Sequence, residues 1–80
     1  MISCSQYDYI EIACLYNLSI LLLLKGGQEI KGVAIDTVRN DKHQECLLIK
    51  SQQQDKTVIL DELSSMHAMI DNPHFKDVYF

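Results

Sequence analysis

A small α+β fold that is mainly β, with one N-terminal helix packed on a five-stranded antiparallel barrel, is the class this sequence predicts. Three observations carry it: a capping pattern followed by helical spacing near the N-terminus, a series of short apolar segments punctuated by turn residues, and a length of 80 residues with 48% apolar composition. A chain of this size buries roughly 60–70% of the surface its unfolded form exposes, which supports one two-layer core and no more. The expected unit is a single domain over residues 1–80. Disorder is disfavoured, because it requires low hydrophobicity and high net charge.

The elements follow in order. Ser5 and Asp8 stand in the S-x-x-D spacing of a capping box, which starts a helix over about residues 5–16. Its apolar positions fall at Tyr7, Ile10, Ala13 and Cys14, leaving Asp8, Glu11 and Leu15 on the other side, and Asn17 can adopt the left-handed conformation that ends a helix. A helix of this length is marginal alone, so the face of Ile10 and Cys14 must find a partner. Leu18–Leu24 is a strand buried on both faces, and Gly26-Gly27 suits a two-residue hairpin turn. The return strand, Glu29–Val38, is long and switches parity near Gly32, which places a bulge there. Arg39–Gln44 is a polar loop, Cys46–Ile49 a buried strand, Ser51–Lys56 a glutamine-rich turn and Thr57–Leu60 a fourth strand. Asp61–Met66 connects to a fifth strand around Met66–Ile70, which Asn72-Pro73 ends. Residues 72–80 form a tail, either an edge strand or loose. Closing such strands into a barrel removes edges that would otherwise aggregate.

Charge and motif content exclude several function classes. The formal charge is −4, and it is unevenly spread: residues 1–24 carry −2, residues 25–56 carry +1 and residues 57–80 carry −3. Bulk binding of nucleic acid needs clustered Lys and Arg, so direct nucleic-acid binding is not expected, and an acidic domain suits a basic partner instead. His43, His67 and His74 form no zinc-protease motif, and neither a G-x-S-x-G elbow nor a glycine-rich phosphate loop is present, so no enzyme, metal or cofactor is expected. Cys4, Cys14 and Cys46 are an odd number without C-x-x-C spacing; they suit small apolar residues in a core better than a disulfide frame, a zinc site or a nucleophile. The first base is Lys25, which is unlike a secretory or transit signal and predicts a cytoplasmic protein. The longest apolar run, Ile20–Leu24, is far short of the ~20 residues of a membrane span.

The N-terminal helix holds the candidate contact residues. In the first turn Asp8 would be stabilised by the helix dipole, by about 0.3–1 kcal/mol. Glu11 lies beyond that turn and has no such explanation. Tyr7 and Tyr9 flank Asp8, and tyrosine is a residue type enriched at interfaces.

The run Cys4-Ser5-Gln6-Tyr7-Asp8-Tyr9-Ile10-Glu11-Ile12-Ala13-Cys14 resembles the signature of the Rho-binding antiterminator (Rof) family, Cys-x-x-Tyr-Asp-x-Ile/Leu-Glu-Ile/Leu-Ala-Cys. Leu22–Asp36 is similar to that family's hairpin, with its glycine turn and the ending Ala34-Ile35-Asp36, and the Leu60–Ser65 connector fits as well. The resemblance implies an Sm-like (SH3-like) barrel behind the helix. It implies an inhibitor of Rho-dependent termination that docks on the primary RNA-binding region of the Rho helicase's N-terminal domain and keeps RNA from loading. Carried onto this sequence, the partner-binding residues are Tyr7, Asp8, Tyr9 and Glu11, with Arg39, Asn40 and Lys42 of the following loop as a second group. The protein is expected to be monomeric when alone. The alternative reading is an Sm-like module that binds RNA directly.

Overall fold

The structure, a computed structural model, describes residues 2–52 and 54–80; Gln53, part of the expected glutamine-rich turn, lies outside the described residues. Helix α1 spans Cys4–Leu15 and starts one residue earlier than expected. Its N-cap is Ser3, not Ser5: the Gln6 backbone N–H donates to Ser3 Oγ at 3.2 Å, and the Ser3 N–H donates to Gln6 Oε1 at 2.8 Å. Both spacings satisfy S-x-x-polar, but only the glutamine side chain is long enough to reach back to the cap backbone. Asp8 therefore lies outside the first turn, and the helix dipole does not account for it.

The other end of α1 closes as its sequence predicts. Asn17 has φ +48°, its N–H donates to Cys14 O, and the Leu18 N–H donates to Ala13 O. This double closure satisfies the last carbonyls. The Asn17 side chain also donates to Cys14 O at 3.1 Å and to Ala34 O at 3.0 Å, tying the helix end to the sheet. Ile10 and Ala13 are fully buried. Burying one isoleucine side chain contributes about 1.5–3 kcal/mol, more than the intrinsic preference of so short a helix, so docking holds α1 in place.

Strand β1 (Ser19–Leu24) pairs antiparallel with β2 (Glu29–Arg39). Their hairpin uses a three-residue loop rather than two: Leu24 N–H donates to Gln28 O, and Gly27, at φ +92°, takes the left-handed last position. The register from Ser19↔Val33 to Leu23↔Glu29 is unbroken, so the bulge is not at Gly32. It falls between Ala34 and Asp36 against β3 (Glu45–Lys50), with Ile35 as the extra residue. What Gly32 supplies is space. A Cβ there would collide with Ile49 Cγ2 and stand 2.8 Å from Lys50 O, so only glycine lets β2 come this close to β3.

β3 pairs with β4 (Asp55–Ile59), and the one-turn 3-10 segment Leu60–Glu62 leads into β5 (Leu63–Ala68). β5 begins earlier than expected because Leu63 and Met66 are buried in the core and Ser65 is covered on the other face of the strand, whereas Met69 and Ile70 lie beyond the strand and are exposed. The tail forms β6 (Asp77–Tyr79) on the edge of β5. The sheet order is β4-β3-β2-β1-β5-β6. This corrects the expected five-stranded closed barrel: closure needs the free edge of β5, and β6 occupies it. The core joins Ile10 and Ala13 of α1 to Ile20 and Leu22 of β1, Ala34 of β2, and Leu47 and Ile49 of β3. Among the described residues no helix is long and apolar enough to cross a membrane.

Replacing Gly32 by alanine should destabilise the fold by about 1–3 kcal/mol through overpacking against β3. Gly26→Ala, which would meet nothing within 4 Å, should melt close to the parent. Thermal melting of the two variants checks this; equal melting temperatures would remove the close approach at position 32 as a constraint.

Candidate functional site

Three carboxylates are brought together where α1 lies across the bend of β2. Asp8 and Glu11 project from the exposed side of the helix, and Asp36 stands just past the Ile35 bulge. They line an open groove of about 980 Å³ with Tyr7, Ile12, Cys14, Leu15, Asn17, Ile35 and Thr37. Among the described residues no Lys, Arg or His contributes to that lining. Leu15, at 72% exposure, gives the rim a large apolar side chain. The Asp36 carboxylate is oriented locally, accepting from the Thr37 N–H at 2.8 Å. Sequence reading placed Asp8 and Glu11 here and missed Asp36 as a site residue, because only the bulge turns the end of β2 toward the helix.

Cys14 reports the resulting field. Burial pushes its thiol up, and the charges of Asp36 and then Glu11 push it further, to about 11. At neutral pH it is a protonated thiol and a poor nucleophile. The three cysteines do not share one environment: Cys46 is buried and Cys14 partly so, but Cys4 is exposed. The expectation of core cysteines fails at Cys4 because the helix starts at that residue and turns it to solvent.

The remaining predicted contact residues divide into two places. Tyr7 is partly buried against the core and lines the groove. Tyr9 points the other way, meeting Phe75 edge to face at 5.8 Å, so the structure separates it from Asp8 and Glu11. The β2–β3 loop lies at the Tyr7 end of the groove, where Tyr7 and Thr37 also line a small hollow with Val38, Arg39 and Glu45. Arg39 and Glu45 are 3.5 Å apart and both well exposed, a pair of little energetic weight. Asn40 organises the loop: its Oδ1 accepts from the backbone N–H of Lys42 and of Gln44, and its Nδ2 donates to Gln44 Oε1. Lys42 is exposed.

Two features lie elsewhere. Lys31, Lys50 and Lys56 line a separate groove of about 600 Å³ with Ser19, Gly32 and Met69. Ser65, His67 and Asp77 form a hydrogen-bonded chain, with Ser65 Oγ 2.8 Å from His67 Nε2 and His67 Nδ1 2.6 Å from Asp77 Oδ1. The order is that of a hydrolytic triad. Ser65 is only 3% exposed, however, enclosed between strands where no substrate carbonyl reaches it. The chain joins β5 to β6.

Residues 1–80 match the family described as modulator of Rho-dependent transcription termination (ROF). Protein rof of Escherichia coli (strain K12) is 33% identical over 64 residues, which cover 80% of this chain and 75% of that protein; protein rof of Shigella flexneri matches to the same extent. The solved structure of YaeO bound to magnesium from Vibrio cholerae O395 is 44% identical with a TM-score of 0.90, covering 94% of this chain and 97% of that one.

The cysteine environments predict an order of reactivity. In the folded protein at neutral pH, Cys4 should alkylate first, with Cys14 and Cys46 following only on unfolding. Because folding raises the Cys14 pKa from 9.0 to about 11, the thiol's contribution to stability is intact below pH 9 and is lost as pH rises toward 11. Peptide mapping after timed alkylation checks the order; Cys14 labelling as fast as Cys4 would contradict the burial and raised pKa assigned to Cys14.

Proposed function

This chain belongs to the family of modulators of Rho-dependent transcription termination, and from that premise we propose that it inhibits Rho by laying the α1–β2 groove on the basic RNA-binding region of Rho's N-terminal domain. RNA is then kept from loading. The observation that carries this reading is the convergence of Asp8, Glu11 and Asp36 in a groove that no Lys, Arg or His lines among the described residues. Carboxylates there stand in for phosphates opposite Lys and Arg, and fields of opposite sign speed encounter. Leu15 and Tyr7 add apolar contact area beside the charges. Arg39, Asn40 and Lys42 form the rim at the Tyr7 end, with Asn40 holding the loop and the two cations reaching outward. Tyr9 acts through the helix's support and leaves the docking face. In this role the protein works as a cytoplasmic, monomeric blocker, without catalysis or a cofactor.

A second reading, direct RNA binding by an Sm-like module, is favoured by the lysine groove of Lys31, Lys50 and Lys56. Among the described residues no aromatic side chain lines it, whereas single-stranded nucleic acid is usually held by stacking as well as charge. The two readings separate in a salt titration, since a direct binder loses RNA affinity steeply with salt and a blocker has none to lose.

Glu11→Lys should weaken Rho binding without unfolding the domain, by about 2–5 kcal/mol if the pair is desolvated and by under about 1 kcal/mol at a rim. Normal affinity in a folded variant would take Glu11 out of the site. Inhibition of RNA-stimulated ATP hydrolysis should also be relieved by raising pyrimidine-rich RNA. The complex should weaken with salt, because partly exposed pairs are screened over ~8–10 Å. Constant inhibition at saturating RNA, with the complex intact, would contradict competition.

A further inference from the structure

We infer that the C-terminal segment Asn72–Phe80 is a strap that positions α1 for docking, with Gln6, Phe75 and Asp77 as positioning residues. The inference rests on the functional reading above and concerns the side of the helix opposite the acidic groove. Tyr9 and Tyr16 are seven residues apart, two helical turns, and so share one face. Phe75 meets Tyr9 edge to face at 5.8 Å, and the His74 ring stacks on Tyr16 at 4.6 Å. The strap is shaped for these contacts by Asn72, whose Oδ1 accepts from the backbone N–H of His74 and of Phe75.

The strap also reaches the start of the helix. Gln6, the residue that completes the capping box with Ser3, donates from Nε2 to the carbonyl oxygen of Tyr79 at 2.8 Å. Tyr79 is the last residue of β6, and β6 is fixed to β5 at both ends. Ala68 N–H donates to Lys76 O, and Phe80 N–H donates to Ser64 O. Between them, Asp77 accepts from His67, which is bonded in turn to Ser65. A short three-residue edge strand needs such side-chain help, because few ladder bonds hold it. A continuous set of bonds and ring contacts thus runs from the Ser65–His67–Asp77 clasp through β6 to Gln6 and through His74 and Phe75 to the helix face.

The buried side of α1 is anchored on the sheet by Ile10 and Ala13. Those contacts resist lifting of the helix, whereas the strap resists rolling about its axis. Rolling is the motion that would carry Asp8 and Glu11 away from Asp36. If loss of the strap leaves α1 in its docked setting only about a tenth of the time, apparent affinity for Rho falls about tenfold, since binding is reduced by the competent fraction.

The test compares Phe75→Ala and Asp77→Ala with the conservative Phe75→Leu and Asp77→Asn in the full chain, none of which alters the groove. Affinity for the intact Rho hexamer and residue-resolved amide exchange are measured on each. Expected is an affinity loss of about tenfold for the alanine variants, with faster exchange in Cys4–Leu15 and unchanged exchange in β1 and β2. The conservative variants should restore most of both, because leucine keeps the bulk against Tyr9 and asparagine keeps the acceptor for His67. Full affinity despite faster helix exchange would overturn the inference, as would exchange that rises equally in β1, β2 and α1, which is general destabilisation. Should the unaltered chain fail to bind Rho, the functional reading fails, and helix exchange alone then decides whether the strap holds α1.

Discussion

The contact on which the molecule turns is the close approach of β2 to β3 at Gly32. β2 is the strand shared by everything else: it pairs with β1 along one half and with β3 along the other, α1 lies across it, and Asp36 sits on it. A side chain at position 32 would push Ile49 out of the core and strike the Lys50 carbonyl. Two residues further along β2 the Ala34 carbonyl accepts from the Asn17 side chain, the bond that ties the C-terminal end of the helix to this strand. The bulge at Ile35 then does the second part of the work by re-aiming the strand's end toward the helix.

From this geometry follows an electrical division of the surface. The first half of β2 carries Lys31 into a groove shared with Lys50 and Lys56, and its second half carries Asp36 into a groove shared with Asp8 and Glu11. A chain with a formal charge of −4 thus presents faces of opposite sign on either side of one bent strand. The acidic face is the better suited to a partner that normally grips phosphate. It combines charge with the exposed Leu15, and burial first, then the charges of Asp36 and Glu11, raise the pKa of the Cys14 thiol that lines it.

Much of this could be read from residues alone, and the failures have definite physical causes. The helix, its exposed carboxylates and its termination at Asn17 were legible because capping, periodicity and the left-handed preference of asparagine are local effects. The start at Ser3 was obscured by two overlapping capping patterns, which only side-chain length separates. Gly32 was legible as special but not for the right reason, since a glycine that yields to a neighbouring strand and one that marks a bulge look alike in sequence. Ser65 hid the first half of β5, because a buried serine looks like a connector until His67 is seen to satisfy its hydroxyl. The open sheet and Asp36's place in the groove depend on non-local partners, β6 and α1, that no window along the chain reveals.

The central claim is that the acids of the α1–β2 groove, and not those of the C-terminal half, face Rho's basic RNA-binding region. Zero-length carbodiimide cross-linking of the intact Rho complex, with the joined peptides mapped by mass spectrometry, tests it most directly. The account predicts bonds from Asp8, Glu11 or Asp36 to lysines of that region, lost when pyrimidine-rich RNA is added first. Cross-links confined to Asp61, Glu62 or Asp71, with the groove carboxylates unreacted, would contradict it.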